Sequence, residues 1–191
     1  MESGQNGRQE NDAALLSLYA EGDREAARRL TARYAPGILR LASSMLGNSA
    51  EAEEVTQETM LRLWKAAPDW RQDKANLSTW LWKVASNLCI DVLRRRRSVS
   101  IEEISEPRDE TPGAVNRLMR NERAEALHRE LAQLPERQRL AVILRHFEGA
   151  SNPQIAEILG TSTEAVESLL ARGIRELKRK LIGRKAALGW Q

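Results

Sequence analysis

At 191 residues the chain is long enough for one large domain or two small ones. Charged residues make up 30% and aromatics 4%, and Ala, Leu, Glu and Arg recur at helical spacing with few β-branched runs, so the fold class is all-α. A net charge of +3 permits a polyanionic partner without requiring one, the single cysteine excludes an internal disulfide and any multi-cysteine metal site, and no apolar run approaches the roughly 20 residues that span a bilayer. With no signal-peptide core at the start, a cytoplasmic protein without membrane insertion is expected. His128 and His146 stand apart from other potential ligands. There is no glycine-rich phosphate loop and no nucleophile motif, so no metal, no cofactor and no enzymatic activity are expected.

Residues 1–10 are polar and read as a disordered tail. Residues 11–97 read as a four-helix domain. Leu15, Leu18 and Tyr19 mark the first helix, ended near Gly22, and Asp23 caps a second that carries Ala26, Ala27, Leu30 and Tyr34. Pro36-Gly37 is expected to kink or interrupt that helix before Ile38, Leu41 and Met45 resume its apolar stripe. Gly47-Asn48-Ser49 is a stop and restart. The third helix, Ala50 to about Ala66, turns Val55, Leu61 and Trp64 inward and carries Glu53, Glu54, Gln57 and Glu58 near its start, where carboxylates complement the helix dipole. Pro68 ends it.

The loop Asp69 to Asn76 leads into a fourth helix, Ser78 to Arg97, which Ser78 is placed to cap and which begins with two tryptophans and finishes in four arginines. Trp80, Val84, Leu88 and Asp91 share one face, while Trp82, Lys83, Asn87 and Arg94 approach another surface. Aromatics stack on exposed bases and arginines meet phosphates, so this composition suits single-stranded nucleic acid. The plainer alternative is tryptophans in a core with a solvated basic helix end; Trp80 is read that way, and Arg94 to Arg97 as facing nucleic acid. Cys89, within the helix, is read as packing rather than as a redox sensor.

Residues 98–116 hold Pro107, Pro112 and Gly113 with five carboxylates against the single base Arg108, a flexible acidic linker. A second small helical domain is placed at 117–183, followed by a tail at 184–191. Within it Ser151 or Asn152 caps a short helix with Pro153 in its first turn and Ile155, Ile158 and Leu159 on its apolar face, and Gly160 closes it. Thr161 or Ser162 then caps a longer helix in which Val166, Leu169 or Leu170, Gly173, Leu177 and Leu181 form the packing face. Arg172, Arg175, Lys178 and Arg179 lie on the other side. That is the outline of a helix-turn-helix, whose second helix enters a DNA major groove, set against the alternative of an ordinary helical hairpin.

Taken in order, four segments resemble the extracytoplasmic-function (ECF) group of bacterial sigma factors. They are Leu15 to Tyr34 with its Gly22-Asp23 break, Glu54 to Trp64, Leu77 to Asp91 with its arginine tail, and Leu134-Pro-Glu-Arg-Gln-Arg139 leading into the helix-turn-helix. The resemblance implies a sigma region 2-like domain at 11–97 and a sigma region 4-like domain at 117–183. It implies an alternative sigma factor that binds core RNA polymerase through the largest-subunit coiled coil and the flap, reads minus-35 duplex and minus-10 single-stranded promoter DNA, and is held by an anti-sigma factor. Glu54, Gln57, Glu58, Leu61 and Trp64 would meet the coiled coil. Trp70, Arg71, Lys74 and Asn76 would wall a pocket for a flipped base, Asn87 would read a base edge, and Lys83, Arg94, Arg95 and Arg96 would hold phosphates. Thr163, Glu164, Glu167, Ser168 and Arg172 would supply the minus-35 base contacts, and Arg175, Lys178 and Arg179 the phosphate contacts. Glu167 stands where the family usually has lysine, which should alter base preference or placement on the duplex, and Leu169 stands where it has arginine and would instead enlarge the packing face. The rival reading is an autonomous dimeric helix-turn-helix regulator, which would need a dimer surface and palindromic half-sites.

Overall fold

The computed structural model describes residues 3–70, 76–102 and 127–187. Helix α1 spans Ser3–Ala20 and α2 spans Arg24–Leu46. The Asp23 carboxylate caps α2 by accepting from the Glu25 and Ala26 N–H groups, and Gly47, with φ 66°, supplies the left-handed residue that ends it. Helix α3 spans Ser49–Ala66, capped by Asn48, and passes into a 3-10 turn at Ala67–Asp69. Helix α4 spans Leu77–Glu102. After a helical segment at 127–132 come α5 (Glu136–His146), α6 (Asn152–Leu159) and α7 (Thr163–Ala187). No strand occurs among the described residues.

Several boundaries differ from the sequence reading, each for a local reason. Helix α1 begins at Ser3, within the residues that read as a tail, and carries the buried Leu15 and Leu16 downstream. Pro36 neither interrupts nor divides α2. Its cost of about 3 kcal/mol is outweighed by the burial of Leu30, Ile38, Leu41 and Met45 on both sides of it, each worth about 1.5–3 kcal/mol. Helix α4 begins one residue before Ser78, and its cap is Asn76, whose side-chain oxygen accepts from the Ser78 N–H at 3.0 Å and whose carbonyl accepts from the Trp80 N–H. It also runs on through residues 98–102, which carry no helix breaker, into what reads as linker.

The buried face of α4 is Leu77, Leu81, Ala85 and Cys89, one position along from the expected Trp80, Val84 and Leu88, which are only half-buried, while Asp91 is exposed. The small Ala85 and Cys89 let α4 lie close on α2 and α3. Burial pushes the Cys89 thiol up to about 12, so it is a packing residue and not a reactive thiolate.

A single apolar core runs through both halves, from Leu15 and Leu30 through Leu81 to Leu140, Ile143, Leu144, Ile155 and Val166. A second, smaller cluster, Leu131, Leu134, Val142 and Leu177, fixes α7 to α5. Gly173 sits where these helices cross, and a Cβ there would lie 2.9 Å from Val142 Cγ2. Gly173→Val should therefore cost about 1–3 kcal/mol of stability through overpacking, read as a lower urea midpoint with an unchanged slope.

Candidate nucleic-acid interface

The helix-turn-helix is built joint by joint from its own side chains. Ser151 caps α6 by accepting from the Gln154 N–H, while Gln154 Oε1 accepts from the Ser151 N–H at 2.9 Å, a reciprocal capping box. Gly160 takes φ 58° and closes α6, with its N–H on the Ala156 and Glu157 carbonyls. Ser162, not Thr161, caps α7, its hydroxyl accepting from the Ala165 N–H and its carbonyl from the Val166 N–H. Arg137 on α5 donates to the Leu159 carbonyl at 3.0 Å and Arg145 to the Ala150 carbonyl at 3.1 Å, pinning both ends of α6 to α5. These two arginines were not anticipated from the sequence, because the bonds they make join separate elements.

On α7, Val166, Gly173 and Leu177 are buried, and Leu169 is half-buried against the core. At about 100° per residue, Glu164, Glu167, Ser168, Arg172, Arg175, Lys178 and Arg179 fall within one arc on the opposite side, and all are exposed. Thr163 is half-buried at the edge of that arc. Arg179 is not a free cation: its guanidinium is held by both oxygens of Glu176, at 3.1 and 2.6 Å. Hydrogen bonds from its own backbone and from the Ser162 hydroxyl keep the Glu164 carboxyl below the ordinary glutamate range.

On α4, Lys83, Asn87 and Arg94 are exposed and follow one another at helical spacing, on a helix whose opposite face is closed by the core. Arg95 is exposed beside them. Arg96 is a different case: it bonds the Glu51 carboxylate and donates to the Leu46 carbonyl at 3.0 Å, tying the end of α4 to the α2–α3 junction. Its guanidinium is therefore already paired with a carboxylate in the free chain. Asn76 spends its amide oxygen on the cap, and Trp70 stands edge-on to Trp80 with ring centroids 5.4 Å apart. Arg71 and Lys74 lie outside the described residues.

A groove between α2 and α3 is lined by Thr31, Ala35, Leu39, Glu53, Gln57 and Leu61, with Trp64 at one end. Leu39 and Leu61 are both exposed apolar residues there. Of the residues predicted for polymerase contact, Gln57, Leu61 and Trp64 line this groove, whereas Glu54 is exposed outside it and Glu58 pairs with Arg62 at 2.8 Å. Trp64 also packs on Tyr19, with ring centroids 4.6 Å apart. The α2 wall and Glu53 also line the groove and are not among the residues that the sequence of α3 points to, since a reading confined to one helix cannot see its neighbour. A second apolar groove, between the 127–132 segment, α5 and α7, is lined by Leu127, Leu131, Phe147, Ile174 and Leu181. Among the described residues no His, Cys, Asp and Glu cluster could hold a metal, and no helix is long and apolar enough to cross a membrane.

Comparison with known proteins joins these surfaces to a family. Residues 30–99 match the model of Sigma-70 region 2, and residues 124–177 match that of Sigma-70, region 4. The ECF RNA polymerase sigma factor SigM of Mycobacterium tuberculosis is 34% identical over 179 residues, which cover 93% of this chain and 89% of SigM. The chain belongs to the ECF group of the sigma-70 family. It is an alternative RNA polymerase sigma factor, built of the region 2 and region 4 domains. The RNA polymerase sigma-H factor of Pseudomonas aeruginosa is also similar, at 29% identity over 91% of this chain and 95% of its own. Among solved structures, CnrH in complex with the cytosolic domain of CnrY aligns with TM-score 0.68 and 25% identity, over 91% of this chain and 98% of that one.

The Glu164 carboxyl gives a direct check on the start of α7. A depressed pKa contributes stability that is present at neutral pH and is lost as pH falls through the folded-state value. An NMR titration should find Glu164 ionising below the exposed glutamates, and Ser162→Ala should move it back up toward them.

Proposed function

We propose that this sigma factor reads promoters through the two exposed faces described above. Lys83, Asn87, Arg94 and Arg95 on α4 meet the minus-10 strand, and the α7 arc meets the minus-35 duplex. The observation that carries this reading is the unpaired polar row Lys83–Asn87–Arg94 on a helix whose other side is fully buried. A side-chain amide between two cations suits a base edge flanked by phosphates. Strand opening without ATP needs capture of bases that have left the stack, and in this reading Asn87 holds one while Lys83 and Arg94 neutralise the backbone on either side. Trp70 beside Trp80 would supply an aromatic wall near the same helix.

In the minus-35 reader Glu164 and Glu167 lie one turn apart at the start of α7, with Ser168 and Arg172 beside them. Carboxylates accept hydrogen bonds from cytosine amines and repel phosphate, so this pair favours C·G pairs under the helix start, while Arg172, Arg175 and Lys178 hold the backbone. Leu169, half-buried, acts in packing rather than in reading DNA. The α2–α3 groove takes the polymerase coiled coil, with Leu39, Leu61 and Trp64 as its apolar floor and Glu53, Gln57 and the nearby Glu54 on its rim. The apolar groove of the second half takes the polymerase flap. An anti-sigma partner is inferred as well; CnrH, of the same fold, was solved bound to another protein's cytosolic domain.

Reconstituted transcription with core polymerase and a promoter library tests this reading. Asn87→Ala should cost about 1–3 kcal/mol in open-complex formation, roughly five- to 150-fold, at promoters with the preferred minus-10 base and little elsewhere. Lys83→Ala should weaken all promoters alike and reduce the salt slope by about one. Glu167→Gln should redistribute minus-35 preference while leaving the minus-10 consensus unchanged. If Asn87→Ala lowered every promoter equally, Asn87 would not be reading a base.

A further inference from the structure

The polar side of α7 carries more cations than it leaves unpaired. Among the described residues no carboxylate pairs with Arg172, Arg175 or Lys178, and all three are exposed. Arg179, one turn on from Arg175, is different: its Nε and Nη2 donate to the two oxygens of Glu176 at 3.1 and 2.6 Å. The Nζ of Lys180 lies 3.7 Å from the same carboxylate and donates to Gln133 Oε1, in the turn before α5, at 2.6 Å. One glutamate therefore faces two cations, and the second of them is moored to another element.

The helical register sets this carboxylate to one side of the arc. At about 100° per residue, Arg172, Arg175 and Arg179 fall within about 60° of one another, whereas Glu176 lies about 60° round from Arg179, toward the packed face at Gly173 and Leu177. Lys180 lies about 40° further the same way. The Arg179 side chain is 73% exposed, against 32% for Glu176 and 20% for Lys180, so the carboxylate is seated on the flank and the arginine leans over to it. The hydrogen bond from Arg179 is the main cause that holds the Glu176 carboxyl below the ordinary glutamate range, and it is charged at neutral pH.

Each phosphate that a cation neutralises contributes about 0.9 to the slope of log affinity against log salt. A guanidinium that keeps a carboxylate within hydrogen-bond distance brings no net charge to the backbone. One that lets go leaves the carboxylate uncompensated beside the same phosphates, which it repels. An exposed pair exchanges readily, but either route removes most of what Arg179 would add. Glu164 and Glu167 lie on the arc at the start of the helix, where they can meet base edges; Glu176 lies off it, and its charge acts on the neighbouring cations instead.

We propose that Glu176 is an affinity-limiting residue of the minus-35 reader: by holding Arg179, with Lys180 beside it, it withholds one phosphate contact and keeps the sequence-blind part of duplex binding low. This rests on the reading of the α7 arc given above.

Holoenzyme assembled with the full chain tests this, by its binding across a salt series to a labelled promoter duplex and to a duplex of the same length and scrambled sequence. Glu176→Gln keeps the shape of the side chain and removes its charge. It should tighten binding to both duplexes alike, several-fold at about 0.1 M salt, and steepen the slope by about one. Arg179→Ala should lower the slope by about one in the Glu176→Gln background and by clearly less in the wild type, a non-additivity that loss of a merely structural contact would not give. Arg175→Ala, which removes a cation that no carboxylate holds, should lower the slope by about one in either background. If Arg175→Ala does so but Glu176→Gln leaves the slope unchanged, or Arg179→Ala costs the full unit in the wild type, Glu176 withholds nothing and the proposal is overturned. If Arg175→Ala leaves both duplexes unaffected, α7 does not hold the backbone, and the minus-35 reading itself is overturned.

Discussion

The guanidinium of Arg139 is the constraint around which the two halves are arranged. It is buried, and it donates to the Met45 carbonyl at the end of α2 and to the Ala132 and Leu134 carbonyls just before α5. Helix ends leave carbonyls without intrahelical partners, and these three would otherwise be desolvated. One charged group thus satisfies acceptors from both halves. Burial pulls its pKa below the ordinary arginine value while Glu136 opposes that shift, and its Nε–H is left unpartnered. A buried charge of this kind contributes more to geometry than to net stability. It sets where α5 begins, hence where α6 and α7 project.

From that anchor the functional surfaces follow in order. Helix α4 is pressed onto α2 and α3 by Leu81, Ala85 and Cys89, which turns Lys83, Asn87 and Arg94 to solvent. Arg96 ties the last third of α4 to Glu51 and to the Leu46 carbonyl. Helix α7 is pressed onto α5 at Gly173 and Leu177, which turns its polar arc outward. In each half a tight, small-residue contact on one side is what presents a polar row on the other.

How much of this was legible in the sequence depended on whether the deciding interaction was local. The helix-turn-helix was readable because Pro153, Gly160 and the capping serines act within a few residues of themselves. Ser151 and Gln154, three residues apart, have the spacing of the capping box that the structure shows. The face of α4 was misread by one position because tryptophans suggest a core, whereas the helix closes on its leucine, alanine and cysteine. The fate of Arg96 had no local signal at all: its partner Glu51 lies 45 residues away. The same is true of Arg40 and Glu148, 108 residues apart, and of the Arg139 bond to Met45. Long-range polar contacts were invisible, and they are the ones that join the halves.

In the function proposed above, neither exposed face is sufficient alone, and polymerase is what makes the pair a promoter reader. The most direct measurement is binding of this chain to a promoter duplex with and without core polymerase at physiological salt. The chain alone should bind weakly, with strong salt dependence and no sequence preference, and core polymerase should convert this to a promoter-specific open complex. Tight, sequence-specific binding of the isolated chain as a dimer on a palindrome, unchanged by polymerase, would contradict it.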